Sequence, residues 1–494
     1  MADERVHAYG DDALGEHDAV ALAALVRAGE VSPAELAAAA VARAERVDAA
    51  LAPVAFAAYG RAFPGHGGGG GGADGVHGVD SVDGVRGAHG VHGAGPDAPL
   101  YGVPSFLKDN TDLRGMPTGQ GSAAFRAKPA RRSAGFAEQF LGTGLSVLGK
   151  TRLPEFGLNA STEYATARPV RNPWLTSHSP GASSGGAAAL VASGVVPVAH
   201  ANDGGGSIRI PAACCGLVGL KPTRGRMVPN AQGRRLPVDL ITDGVLTRSV
   251  RDTAAFLAAA EHHYRNPAMP PLGLVEGPGG RRLRIGLVVD SPTAPTDGPT
   301  RAAVEETAAR LAALGHDVTP VELPFGEEFS RDFILYWGYI AFLIATTGRL
   351  TVDPGFRAAR LDGFTTGLRR VFHREFARVP GVVRRLHASE RTYAGLFRTY
   401  DAILSPVLAH VAPPIGHLSP NVAFGELLER LTRYVAFTPV NNVTGGPGIA
   451  LPVGASPEGL PIGVHLSAGH GEERLLLELA FALEADRPWR RIQD

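Results

Sequence analysis

The chain has 494 residues, 44% of them hydrophobic, and its 48 basic and 48 acidic side chains balance to a formal net charge of zero. At roughly 150 residues per domain that length allows about three domains and a sizeable core, and the balance leaves no overall field to hold nucleic acid or an anionic membrane. Residues 1–15 include Asp3, Glu4, Asp11 and Asp12, the wrong chemistry for a secretory leader. No run of 18 or more uncharged apolar residues appears, so no membrane span is expected and the chain reads as soluble and cytoplasmic. The adjacent Cys214 and Cys215 read as core rather than as a disulfide.

In chain order, Ser32-Pro33-Ala34-Glu35 is a capping box with proline at the first helical position, opening an Ala-rich helix to about Val47. Residues 1–58 are expected to form an N-terminal helical segment. Residues 59–99 then hold six consecutive glycines and triplets such as GVH and GVD, a low-complexity insertion expected to be flexible. Its His66, His77, His89 and His92 suggest solvated chain more than a metal site. From Leu100 onward a catalytic domain is expected, 100–494, with strands at 101–108 and 146–150 and a helix at 134–141. The segment 181–209 reads GASSGGAAALVASGVVPVAHANDGGGSIR, with a helix expected at 187–192 and a strand at 195–199. A strand at 283–290, a helix at 300–314 and a strand at 317–323 form a βαβ-like unit. Helical pattern covers 327–348, 369–391 reads as a basic amphipathic helix with a solvated face, and 401–405 and 448–452 read as late strands of the same sheet. Alternating strands and helices predict an α/β fold, a large mixed sheet with helices on both faces.

The chain holds 48 basic residues but only four lysines, Lys108, Lys128, Lys150 and Lys221. Where arginine is the default, a retained lysine marks a place where a group must be able to lose its proton. Lys128 reads as surface. Lys108, at the end of a predicted buried strand, reads as functional.

Three arrangements of serine compete. Gly181-Ala182-Ser183-Ser184-Gly185 fits G-x-S-x-G, with Asp401 and His465 downstream as the acid and histidine that such an elbow needs. Ser105-Phe106-Leu107-Lys108 fits S-x-x-K, but that motif opens a helix and these residues read as a strand. The third takes Ser207 as nucleophile, Ser183 as relay and Lys108 as base. There Gly204, Gly205 and Gly206, lacking Cβ atoms, can turn their N–H groups with that of Ser207 toward one point and form an oxyanion hole. Lys108 must then be neutral, and burial would make it so.

The third arrangement resembles the amidase signature family. The residues that carry the resemblance are Gly102-Val103-Pro104 leading to Lys108-Asp109, residues 157–163, Arg171-Asn172-Pro173-Trp174 and Ser183-Ser184-Gly185-Gly186. They continue through 203–209, Cys215-Gly216-Leu217 and Lys221-Pro222. The variant NDGGGSIRIPA, together with FTPVNNVTGGP at 437–447, is similar to the branch containing 6-aminohexanoate cyclic-dimer hydrolase. Ala182 stands where glycine is usual and His465 where glutamine is common.

The resemblance implies a cofactor-free hydrolase of carboxamides, without metal, acting on a small-molecule amide. It implies Lys108 as base, Ser183 as bridging serine after a cis peptide bond, and Ser207 as the residue that becomes acylated. Asp203 and Arg209 would hold the loop, and Ser184 would support the triad. A homodimer is left open. An amidotransferase subunit that releases ammonia from glutamine, and a non-catalytic scaffold, are the alternatives.

Overall fold

The structure, a computed structural model, describes residues 5–62 and 94–494; the triplet insertion and its four histidines lie outside the described residues. Eleven strands appear among the described residues. The first three are β1 (Val54–Ala57), β2 (Pro104–Lys108) and β3 (Ser146–Thr151). In the middle of the chain come β4 (Val198–Asp203), β5 (Val218–Lys221), β6 (Thr242–Thr247), β7 (Arg284–Leu287) and β8 (Asp317–Pro320). The last are β9 (Ala402–Pro406), β10 (Gly448–Ala455) and β11 (Pro461–Ala468). They form a three-stranded sheet in the order β1-β3-β2 and an eight-stranded sheet in the order β4-β6-β5-β10-β11-β9-β7-β8. The large sheet is mixed. β7 runs parallel to β8 and β9, closing the expected βαβ unit around helix Gly298–Ala313, while the other pairings are antiparallel.

Helices cover both faces of this sheet. Along β11, a Cβ on Gly463 would meet Ala213 at 2.7 Å, and His465 reaches Arg209, so alternate residues face the helix Arg209–Cys215. The intervening Val464 and Leu466 are fully buried on the opposite face, where Val250–His263 and Glu473–Asp486 pack. The helices that open the chain join the same core. Pro33–Leu51 starts on the expected capping box, Ser32 N–H donating to Glu35 at 2.8 Å and Glu35 N–H to Ser32 Oγ at 3.2 Å. Its buried Arg43 donates to Asp12 and to the Gly194 carbonyl, at 2.7 Å each.

The two sheets meet where β2 lies alongside β4, and side chains make the joint. Ser105 Oγ donates to the Val198 carbonyl at 2.8 Å, and the Lys108 N–H donates to His200 Nδ1 at 3.1 Å. Both contacts advance in the same chain direction. Lys108 at the end of β2 and the glycine loop leaving β4 therefore emerge at one edge.

Three elements differ from expectation. The strand expected at 195–199 begins at Val198 and runs on to Asp203, because β6 pairs with it residue for residue as far as Thr242. The basic stretch 369–391 is two helices, Gly363–Glu375 and Val379–Leu396, meeting at a short 3-10 turn, Phe376–Arg378; Pro380 in the first turn of the second helix accounts for the break. The helix Glu327–Thr351 is by length and composition apolar enough to cross a membrane. Here it serves as a wall: Tyr336 Oη donates to the Val238 carbonyl at 2.8 Å, and Asp332 takes the Arg385 guanidinium at 2.6 Å.

Candidate active site

Lys108 is fully buried at the end of β2. Its Nζ lies 2.8 Å from Ser183 Oγ, 2.9 Å from Ser184 Oγ, 2.7 Å from Asn202 Oδ1 and 3.3 Å from the Asn202 carbonyl. Burial pushes the amine down to about 7, against the opposing pull of Asp203 and Asp243. A neutral amine has two N–H bonds and one lone pair. Asn202 Oδ1 can only accept, and Ser184 Oγ spends its own proton on the Asn202 carbonyl at 3.4 Å, so both take N–H bonds. The lone pair is left for the Ser183 hydroxyl.

The surroundings fix this geometry. Asn202 exchanges amide bonds with Asn110 at 3.1 and 3.2 Å. His200 accepts from the Lys108 backbone through Nδ1 and so donates from Nε2 to Asp243, 3.1 Å away. Gly157, at φ +70°, passes so close that a Cβ would stand 3.0 Å from Ser183 Oγ. The peptide bond Ala182–Ser183 is cis, as the family resemblance implies.

The two glycine clusters of 181–209 do different work. Gly185 and Gly186 approach protein: a Cβ would meet Thr162 Oγ1 at 2.2 Å on the first and the Arg152 and Pro53 backbone at 2.6 Å on the second. Gly204 and Gly205 instead lie under Trp337 and Phe333, 3.7 and 3.3 Å from where their Cβ atoms would be, and Gly205 lines the cavity that holds Ser207. This loop is clamped from beneath. The Gly206 N–H donates to Asp203 Oδ1 at 2.6 Å, and that of Ile208 to Oδ2 at 3.2 Å. Gly206 therefore departs from the expected set of four oxyanion donors: its N–H is already spent on the loop. Among the described residues no protein acceptor takes the N–H of Gly204, Gly205 or Ser207.

Burial alone would raise the Asp203 carboxyl, but the charge and hydrogen bonds of Arg209 hold it well below the usual range. Arg209 is fully buried and also binds Asn441, Asn442, His465 and the Thr438 carbonyl. Asn442 returns to Asp203, donating to its carbonyl at 2.9 Å and to Oδ1 at 2.8 Å. Sequence reasoning missed this second layer, Asn110, His200, Asn202, Thr438, Asn441 and Asn442. The signals were the FTPVNNVTGGP segment, which holds Thr438, Asn441 and Asn442, and the leading asparagine of NDGGGSIRIPA, Asn202.

Ser207 is half-buried at the floor of a cavity of about 740 Å³, and its hydroxyl makes no hydrogen bond among the described residues. The competing arrangements lack geometry. Asp401 is tied to Arg284 on β7, and His465 serves Arg209; neither meets Ser183. Ser105 is a strand residue committed to Val198. Cys214 and Cys215 are buried free thiols, both pushed up by burial, Cys214 to about 12. No group of three or more metal-ligating side chains occurs among the described residues.

The setting is a mixed sheet whose edge carries the buried Lys108 with Ser183 in hydrogen-bond reach, and a glycine loop whose Gly205 and Ser207 line a cavity. The chain belongs to the amidase family, whose model matches residues 88–477, and it is a hydrolase acting on carbon–nitrogen bonds. A Mycobacterium leprae protein named "Putative amidase AmiC" is 46% identical over 491 residues, 99% of each chain. The 6-aminohexanoate-cyclic-dimer hydrolase of Paenarthrobacter ureafaciens is 34% identical over 522 residues, 96% of this chain and 95% of its own. A solved structure of 6-aminohexanoate cyclic dimer hydrolase superposes with a TM-score of 0.83 at 30% identity, over 98% of this chain and 99% of that one.

Proposed function

We propose that this amidase cleaves small-molecule carboxamides through an acyl-enzyme on Ser207, with Ser183 as relay and Lys108 as base. The observation that carries the reading is the buried Lys108 amine, 2.8 Å from Ser183 Oγ, with Asn202 Oδ1 and Ser184 Oγ placed to take its N–H bonds when it is neutral. Ser207 Oγ attacks the amide carbonyl carbon as its proton passes to Ser183 and the Ser183 proton passes to Nζ. The carbonyl oxygen, now an oxyanion, is received by the N–H groups of Gly204, Gly205 and Ser207. The C–N bond breaks as Lys108 returns the proton through Ser183 to the leaving nitrogen. Water then attacks the ester, losing its proton along the same path, and releases the carboxylic acid and free Ser207. Asp203 and Arg209 position the loop, and Ser184 orients Nζ.

The test is Ser207→Ala. Turnover of every amide is expected to vanish with circular dichroism unchanged, and residual activity above about one thousandth of wild type would remove Ser207 from the role. Labelling of Ser207 by a fluorophosphonate, read by mass spectrometry, is expected in the wild type. Its absence would favour a non-catalytic scaffold.

A further inference from the structure

The wall of the cavity at Ser207 is built for surface contact rather than for polar recognition. Phe333 and Trp337, one turn apart on the helix Glu327–Thr351, stack with centroids 5.3 Å apart and planes 26° from parallel. Both rings reach the glycine loop: a Cβ on Gly205 would stand 3.3 Å from Phe333 Cζ, and one on Gly204 3.7 Å from Trp337 Cη2. The single polar atom of Trp337 is already used, Nε1 donating to the Leu158 carbonyl at 3.0 Å, so the indole offers only ring surface. Ile210 and Val440 add aliphatic area close to Ser207.

Among the described residues no lysine, arginine or histidine lines the cavity. Its carboxylates, Asp290, Glu305 and Glu322, are exposed, and Arg301 stands 2.6 Å from the first and 3.7 Å from the second. A substrate carboxylate drawn into the apolar part of the cavity would lose its water without gaining a charged partner. At about 740 Å³ the cavity also has room for a ligand of drug-like size, of which a two-carbon amide fills a small part.

We infer that the substrate is an amide bearing one bulky apolar substituent, an aryl group or an alkyl chain of about six carbons, that packs on Phe333 and Trp337, and that amides carrying a distal carboxylate are rejected. This rests on the amidase reading above. It disfavours glutamine, whose α-carboxylate would need a cation that the described lining does not provide, and with it the amidotransferase alternative.

The experiment compares kcat/KM of the wild type for acetamide, hexanamide, 3-phenylpropanamide and adipamic acid by ammonia release. A second series, N-methylacetamide against acetanilide, places the substituent on the nitrogen side. Each buried methylene is worth about threefold to fourfold, so the four that separate hexanamide from acetamide are worth at least about eightyfold if the acyl side is read. A comparable gap between acetanilide and N-methylacetamide is expected if the amine side is read. Adipamic acid is expected at least about tenfold below hexanamide. In Trp337→Ala and in the milder Phe333→Leu the ratio of bulky to small substrate falls toward one. The wild-type series stands alone should either variant fail to fold. Flat kcat/KM across both series, or adipamic acid equal to hexanamide, overturns the inference while leaving the amidase reading intact. No turnover of any amide, with no labelling of Ser207, removes that reading and this one with it.

Discussion

Lys108 makes no ion pair among the described residues, and its proton affinity is set by a contest between burial and two carboxylates one layer away. Burial wins and brings the amine down to about 7. A base must be unprotonated to act, so kcat/KM is expected to fall as pH drops through about 7 and to plateau above it; a flat profile between pH 5 and 8 would count against a lysine base. Lys108→Arg puts a permanent charge where a neutral amine acts and loses the chemistry, since a guanidinium cannot give up its proton. That variant is expected to be folded and inactive by at least about a thousandfold, with thermal unfolding and amide turnover measured side by side. The lysine was legible in the sequence because arginine is used almost everywhere else. Asn202 and His200, which aim it, were not: their meaning depends on contacts across 94 and 92 residues of chain, which no local pattern encodes.

At the scale of elements, the short helix Pro439–Thr444 matters more than its length suggests. Its Asn441 and Asn442, with the carbonyl of Thr438 just before it, share the guanidinium of Arg209, while Asn442 and Arg209 share Asp203. Thr438 Oγ1 also donates to the Gly205 carbonyl at 2.7 Å, on a loop where Gly206 takes φ +130° and a Cβ would strike Thr438. Removing one member of a fully buried ion pair costs about 3–5 kcal/mol. Arg209→Ala is expected to lower the denaturant midpoint correspondingly and to reduce activity with it. A variant with unchanged midpoint would refute the clamp.

The long periodic elements of the fold could be read in advance, as could the βαβ unit and the two glycine clusters. The helix Arg209–Cys215 was hidden by Pro211 and by full burial on every side, which leaves no polar face to mark a period. β6 and β11 were hidden too, because strands buried on both faces lose the alternation that identifies them.

On the scale of the molecule, the segment before the insertion is bound into the core. β1 pairs antiparallel with β3, whose other neighbour β2 carries Lys108. Leu22, Leu36, Val47 and Leu51 are fully buried, and Asp252 accepts from the N–H groups of Ala19 and Val20 that open the first helix. Deleting residues 1–58 removes those apolar side chains, uncovers the core they pack against and the edge of β3, and is expected to give insoluble or molten protein without activity. Recovery of a soluble, cooperative unfolder with amidase turnover would show that the remaining chain folds alone. We propose self-association as a homodimer as a separate matter, to be read by light scattering.

Lysine distribution has a practical consequence. Three of the four side chains, Lys108, Lys150 and Lys221, are fully buried, whereas Lys128 is 67% exposed and, among the described residues, paired only with Asp353. Amine-reactive esters are therefore expected to modify the folded protein at Lys128 and at no other lysine, leaving Lys108 untouched. Peptide mapping after mild acylation checks this, and any adduct on Lys108 refutes it. With a single lysine in reach, the folded protein offers one defined side chain at which a dye or a tether can be placed without engineering.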